Sequence, residues 1–388
     1  MSERTLTVML VAAEASGDDR GARLARALKR RLGDGVRFVG VGGERMAAEG
    51  VQSPFGIADL SIFGLLEGVL AYPKVIRRAD EVAALAQRVR PDVAVLIVSW
   101  GFTLRVAHRL RKLGIPLVKY VAPQVWASRP GRAKTAARWY DLLLTIHAFD
   151  APAFEKEGLA VRFVGDATLA IDFASADPAR MRAEIGAGPD DPILLVLPGS
   201  RPVEIERVLP AFEAAVNRLK AERPDLHVVV PAAPTVADLV KSRVAGWPHR
   251  AHVVEGDVAK KDAMRAATVA LACSGTVTTE LALAGCPMVV GYRLGPSTHA
   301  ILKRLIRTRW ITLFNIAAED FVAPELIQDD CNGPALAREV ALRLDDPDLS
   351  ARQVARQNEA LLKMGRGGPD PNEAAAEAVV ALVRSRQT

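Results

Sequence analysis

Short runs made almost wholly of Val, Leu, Ile and Ala recur along the chain, separated by longer stretches whose apolar positions fall at helical spacing. In the first half these runs are residues 6–13, 36–41, 93–98, 116–121, 142–146 and 161–164, with helical stretches at 18–31, 72–89 and 103–113 between them. Runs of this length that carry almost no charge suit strands buried on both faces. Their alternation with helices predicts an α/β protein with doubly wound parallel sheets. A turn-rich passage from Gly165 to Pro192 interrupts the pattern, and a second set follows at 193–197, 226–230, 252–254, 269–273 and 288–291. The expected division is a first domain over 1–168, a second over 169–345, and C-terminal helices over 346–388 packing back across both. Open sheets of this kind bind ligands beyond the carboxyl ends of their strands, so a cleft between two facing halves is the expected site.

The most informative stretch is Val269-Ala-Leu-Ala-Cys-Ser-Gly-Thr-Val-Thr-Thr-Glu-Leu-Ala-Leu283. An apolar strand breaks at Ser274-Gly275-Thr276, where hydroxyls and a glycine suit a helix start. Amide N–H groups at such a start, with the positive end of the helix dipole, form a ready site for a diphosphate. Glu280 lies about one and a half turns further on, within reach of a sugar hydroxyl beside the phosphate. The alternative is an ordinary strand, turn and helix with Ser274 as cap. Leu197-Pro-Gly-Ser-Arg201 ends the first strand of the second half in the same manner: Gly199 and Ser200 permit close backbone approach, and Arg201 offers a fork of donors to a pyrophosphate. A turn with a surface arginine is the plainer reading.

Composition narrows the classes. The chain has 388 residues, half of them hydrophobic, with a formal net charge of +6 and a pI near 9.3, which favours anionic partners. The cations do not interleave with aromatics, and only 5% of residues are Phe, Trp or Tyr; a nucleic-acid partner is therefore not expected. Three unclustered cysteines read as reduced cytosolic thiols, and six scattered histidines give no metal-ligand spacing, so no metal and no cofactor are expected. Gly40-x-Gly42-Gly43 fails as a dinucleotide fingerprint, and no phosphate-binding Gly-x-x-x-x-Gly-Lys loop is present. Neither a signal segment nor a run long enough to span a bilayer is evident.

Three further stretches carry chemistry. Ala13-Glu14-Ala15-Ser16-Gly17-Asp18 follows the first strand and projects Glu14, Ser16 and Asp18 toward the expected cleft, with Ser16 or Asp18 also able to cap the helix. The segment from Leu60 to Tyr72 is nearly uncharged and is followed by Lys74, Arg77 and Arg78. That juxtaposition suits a bilayer interface, with a core helix or a homodimer contact as the other readings. A loop holding Trp126, near Arg129, Arg132 and Lys134, suits stacking and anion contacts.

These stretches, together with Phe38-Val-Gly-Val-Gly-Gly43, Met46-Ala-Ala-Glu-Gly50, Tyr120-Val-Ala-Pro-Gln-Val-Trp126, Pro287-Met-Val-Val-Gly-Tyr-Arg293 and Asn315, resemble in order and spacing the lipid-A-disaccharide synthase family. The resemblance implies a GT-B glycosyltransferase of two facing Rossmann-like domains. Its reaction would be inverting: UDP-2,3-diacylglucosamine condenses with 2,3-diacylglucosamine 1-phosphate to a β-1,6-linked disaccharide and UDP. Carried over position by position, Gly199, Ser200, Arg201, Ser274, Gly275, Thr276 and Glu280 would hold UDP and Asn315 would lie beside the donor. Glu14 and Asp18 would lie on the acceptor side. The partners implied are the two acylated sugars and the cytoplasmic face of a Gram-negative inner membrane.

One departure stands out. The family's third long strand ends in an Ile-Asp-x-Pro-Asp-Phe pattern whose first Asp is the candidate base, whereas this chain reads Ile97-Val-Ser-Trp-Gly-Phe102. Neither Val98 nor Gly101 can take a proton. Loss of a general base lowers rates by roughly 10²–10⁴-fold. Glu14 or Asp18 is expected to serve instead; the alternative is a slow or inactive paralogue that binds lipid and nucleotide at a membrane surface.

Overall fold

The computed structural model describes residues 5–60, 72–123, 125, 131–295 and 309–386. The chain forms two compact units, Met1–Ala167 with Gly367–Thr388, and Thr168–Arg366.

The first unit holds six parallel strands: β1 (Leu6–Val11), β2 (Val36–Val41), β3 (Val93–Ile97), β4 (Leu117–Tyr120), β5 (Leu142–Thr145) and β6 (Ala160–Phe163). Their order in the sheet is β2-β1-β3-β4-β5-β6. The chain therefore winds outward from β1 to β2, then crosses back to β3 on the other side of β1. Winding reverses at the carboxyl ends of β1 and β3, the place where open sheets of this kind bind ligands. One face of the sheet is covered by helices Tyr72–Val89, Trp100–Leu110 and Gly131–Trp139 through Val82, Val106 and Ala136. The other face is covered by Ala15–Leu32 and Pro371–Ser385 through Leu24, Leu28, Val379 and Val383.

The second unit repeats the plan with β7 (Ile193–Leu197), β8 (His227–Ala232), β9 (His252–Glu255), β10 (Val269–Cys273), β11 (Met288–Tyr292) and β12 (Glu325–Ile327). The order is β12-β11-β10-β7-β8-β9, so winding reverses between β7 and β10. Helices Pro202–Glu222, Ala237–Val244 and Gly333–Asp345 cover one face. Pro178–Ile185, Asp257–Ala266, Thr276–Ala284 and Pro347–Lys363 cover the other. The C-terminal helices are thus divided: Pro347–Lys363 belongs to the second unit and Pro371–Ser385 to the first.

Strands sandwiched this way bury side chains on both faces, which is why they read as unbroken apolar runs; each fully buried Leu, Val or Ile contributes roughly 1.5–3 kcal/mol. The runs 93–98 and 116–121 each stop one residue early, because Val98 (φ 51°) and Val121 (φ 73°) turn the backbone into the left-handed region. β8 goes further than its pattern, through Pro231, which lies in register with Val254. β12 has only three residues, too few for any alternation to show.

Candidate active site

A cavity of about 550 Å³ lies within the second unit, at the carboxyl ends of β7 and β10 where winding reverses. Gly199, Ser200 and Arg201 line it after β7, and Ser274, Gly275 and Thr276 after β10; Glu280 closes one side from the helix that follows. All seven residues read from sequence as the diphosphate and sugar side therefore meet in one space. Gly199 has φ +115°, and a Cβ there would lie 3.0 Å from Glu204 Oε2, so only glycine fits without displacing that carboxylate. The helix Thr276–Ala284 begins after Gly275 with no side-chain cap, so Ser274 is not the cap that the sequence pattern permitted. Its leading amides leave the positive helix end open to the cavity.

Two ion pairs lie in the lining of the cavity. Arg201 Nη1 donates to Glu204 Oε1 at 2.7 Å with most of the guanidinium exposed, and the Ser200 amide donates to Glu204 Oε2 at 3.4 Å. An exposed pair of this kind is worth about 0–1 kcal/mol, little enough for Arg201 to exchange Glu204 for a more highly charged anion. Lys260 Nζ meets Glu280 Oε2 at 2.7 Å. Pro231, Ala232, Ala233 and Pro234, with Val254 and Gly256, form a small-residue wall beyond β8 and β9. Sequence reading missed Glu204, Lys260 and this wall. The Pro-Ala-Ala-Pro run directly after an apolar strand was a readable signal, whereas Lys260 sits in an ordinary amphipathic helix and carried none.

In the first unit Glu14 ends the link from β1 into the helix Ala15–Leu32. Its half-exposed carboxylate accepts a 2.7 Å bond from Ser16 Oγ. Asp18 does something else. It is 5% exposed, and its oxygens accept from the amides of Gly43 (2.7 Å), Arg45 (3.1 Å) and Met46 (3.0 Å). It caps the short helix Glu44–Ala48 from a neighbouring element, and three amides on its two oxygens make it a clamp between the two elements. Asn315 is held as fully. It is fully buried, with Nδ2 donating to Ala323 O (2.9 Å) and Glu325 Oε1 (2.8 Å), and Oδ1 accepting from the amides of Val322 (2.8 Å) and Ala323 (3.1 Å). All four of its ordinary hydrogen-bonding positions are used in shaping the loop before β12, leaving none for a substrate.

Val98 and Ser99 (φ 51° and 31°) make two successive left-handed residues between β3 and the helix Trp100–Leu110, beside Glu14's strand. Non-glycine residues in such conformations cost about 1–3 kcal/mol each and persist where the surroundings enforce them. Beneath this turn lies Lys119, 1% exposed, whose Nζ donates to Val98 O and, at 3.1 Å, to Thr103 Oγ1. Burial pulls its amine down to about 7, opposed by the negative charge of Glu14.

The apolar stretch 61–71 and Gln124, Trp126, Ser128 and Arg129 lie outside the described residues. Of the cations that follow the stretch, Arg78 is mostly covered, stacked 4.4 Å from the Phe55 ring centroid and bonded to Glu81, while Arg77 remains largely exposed. Arg132 lies over Trp100 at 5.8 Å. Cys273, Cys286 and Cys331 are buried thiols. Among the described residues no group of three or more His, Cys, Asp or Glu could hold a metal ion, and no helix is long and apolar enough to cross a membrane.

Solved structures share this arrangement. S. aureus MnaA, solved with UDP, superposes with a TM-score of 0.64 over 98% of this chain and 97% of that one, at 15% identity. MurG of Acinetobacter baumannii does so with 0.55 over 98% and 99%, at 16% identity. At such identities the likeness carries the fold alone, which is GT-B. Sequence relatives carry more. The lipid-A-disaccharide synthase of Rhodospirillum centenum is 42% identical over 99% of this chain and 96% of its own length. That of Paramagnetospirillum magneticum is 43% identical over 98% of each. The model of the lipid-A-disaccharide synthetase family matches residues 8–379. With two matched sheets, a cavity at the second switch point and likeness along nearly the whole chain, this protein belongs to the lipid-A-disaccharide synthase family of glycosyltransferases.

Proposed function

We propose that the chain condenses UDP-2,3-diacylglucosamine with 2,3-diacylglucosamine 1-phosphate to the β-1,6-linked disaccharide 1-phosphate and UDP. The observation that carries this reading is the convergence of Gly199, Ser200, Arg201, Ser274, Gly275, Thr276 and Glu280 on one cavity. In it the diphosphate lies against the open start of Thr276–Ala284, and Arg201 leaves Glu204 to form charge-assisted bonds to it. Glu280 accepts from ribose hydroxyls, and the small-residue wall beyond β8 and β9 takes the uracil. As the acceptor's 6-hydroxyl oxygen forms its bond to the anomeric carbon, the bond from that carbon to the diphosphate breaks. Charge grows on departing UDP, where the helix end and Arg201 stabilise it without a metal or cofactor.

The hydroxyl proton goes to Glu14. Among the three residues first considered for catalysis it alone keeps a half-exposed carboxylate, since Asp18 and Asn315 are committed to backbone. The Ser16 bond orients it. Both substrates are acylated, so the protein works at the cytoplasmic face of the inner membrane. Largely exposed Arg77 is the described cation best suited to contact headgroup phosphates there.

Incubating the purified protein with both acylated sugars tests the reading. UDP release that requires the acceptor supports transfer. UDP binding and liposome binding without release would leave a lipid- and nucleotide-binding paralogue, the reading that Val98 favours.

A further inference from the structure

We infer that Lys119 is a positioning residue of the first unit: its amine fastens the left-handed turn at Val98 and Ser99 from below and sets a positive charge behind Glu14. The inference rests on the reading of Glu14 as proton acceptor.

Three observations carry it. Lys119 occupies a core position of β4 between apolar neighbours, where Leu117, Val118 and Tyr120 are also buried. Desolvating an ammonium there is costly, and a Val or Leu would bury without that cost. Its hydrogen bonds go to the turn: Nζ to Val98 O and to Thr103 Oγ1, while Thr103 Oγ1 itself reaches Val98 O at 3.2 Å and Ser99 O at 3.0 Å, and the Val98 amide donates to Tyr120 O at 3.0 Å. A β-branched residue such as Val98 at φ 51° is held against its own preference, and this web of donors is what holds it. The turn also sits at the sheet's switch point, next to the strand that delivers Glu14.

Among the described residues, the groups facing the amine are few. From the β1 side it is Glu14, whose charge favours the ammonium. From β3 and the helix after it come the Val98 carbonyl and the Thr103 hydroxyl, which do not titrate. Beyond Thr103 lies the Tyr140 phenol, kept protonated by burial. With its amine near 7, Lys119 carries its charge below that pH and loses it above. A carboxylate that must face the acceptor at fixed distance gains from a charge fixed behind it and from a rigid floor.

The test uses the full chain and both acylated sugars. Lys119→Met is expected to lower kcat at least tenfold with the donor KM within twofold, because the donor cavity lies in the other unit. Wild-type kcat is expected to fall as pH rises through about 7 as the ammonium is lost, a limb absent from Lys119→Met. Lys119→Arg, which keeps its charge, is expected to recover part of kcat without that limb. Unchanged kcat in Lys119→Met, or a limb that persists in it, overturns the inference. So does loss of kcat only in step with lost thermal stability and with no recovery in Lys119→Arg. Glu14→Gln, measured alongside, separates the two readings. An inert Glu14→Gln with an unaffected Lys119→Met sinks Lys119 alone, and a fully active Glu14→Gln sinks Glu14 and with it this inference.

Discussion

The two switch points are built on the same topology and use opposite means. In the second unit the strand ends give way to glycine and open helix amides, with Gly199 relaxed at φ +115° and charges paired loosely in the lining of a cavity. In the first unit they give way to Val98 and Ser99 in the left-handed region over a buried lysine. On the function proposed above, the difference follows from the work each must do. A diphosphate brings its own charge and geometry, so its site needs vacant donors and room for backbone approach. A proton acceptor must be held before substrate arrives, and that calls for groups already bonded and already charged.

The largest effect that would break the comparison concerns Glu14. Glu14→Gln should lower kcat by roughly 10²–10⁴-fold while UDP affinity, measured by calorimetry, stays as it was. Equal losses in kcat and UDP affinity would mean that the two sites are not divided in this way. Next comes Arg201→Ala, which removes a charge-assisted donor of about 1.5–3 kcal/mol and should weaken UDP binding roughly 10- to 100-fold. That loss should shrink as salt rises, because the guanidinium is exposed. An Arg201→Ala protein that binds UDP normally would remove the diphosphate from this end of the cavity.

Much of the second site was legible in sequence because its requirements are local. Leu197-Pro-Gly-Ser-Arg201 and Ser274-Gly-Thr276 each place a glycine and donors directly after an apolar strand, and strand, turn and helix start are all encoded within a few residues. The first site was legible only as far as Glu14. Asp18 looked like its partner by adjacency, yet it is spent on Gly43, Arg45 and Met46, some 25 to 28 positions away. Asn315 is consumed by a loop shaped by Glu325. Lys119 carried no signal inside the run 116–121, and nothing near it in sequence names Val98, which lies 21 positions earlier. The sheets themselves were plain, because strands buried on both faces are apolar throughout. The strand ends were not, since a valine at positive φ looks like any other valine.

Val98→Asp should raise kcat, by about tenfold or less, if the position still faces the acceptor. Asp tolerates the left-handed conformation better than Val, so the substitution should also cost little stability despite lost apolar contact. An unchanged kcat with a normal fold would mean that the turn points its side chain away from the acceptor, and Glu14 would then have no companion at the end of β3.

The last effect is read in stability instead of rate, and it concerns what the first unit buries. His147, just beyond β5, is 7% exposed, its ring stacked 5.0 Å from Phe149, and its Nδ1 has no partner. Burial pulls it down to about 4, with Asp166 opposing and Arg20 assisting. Below its ordinary value of 6.5 the unfolded chain takes up a proton that the folded protein refuses until about pH 4. Stability from this group is therefore present above 6.5 and lost as pH falls toward 4, by roughly 3 kcal/mol at most. In the second unit His227 and His252 begin β8 and β9, are only partly buried, and lie against Asp191 and Glu184. The buried thiols Cys273 and Cys286 are pushed up to about 12 and stay protonated throughout this range. Urea unfolding at pH 7 and pH 4.5 should then show His147→Phe losing less stability on acidification than wild type. Equal losses in the two proteins would mean that His147 is protonated without leaving its place, and that its burial does not set the response of the first unit to acid.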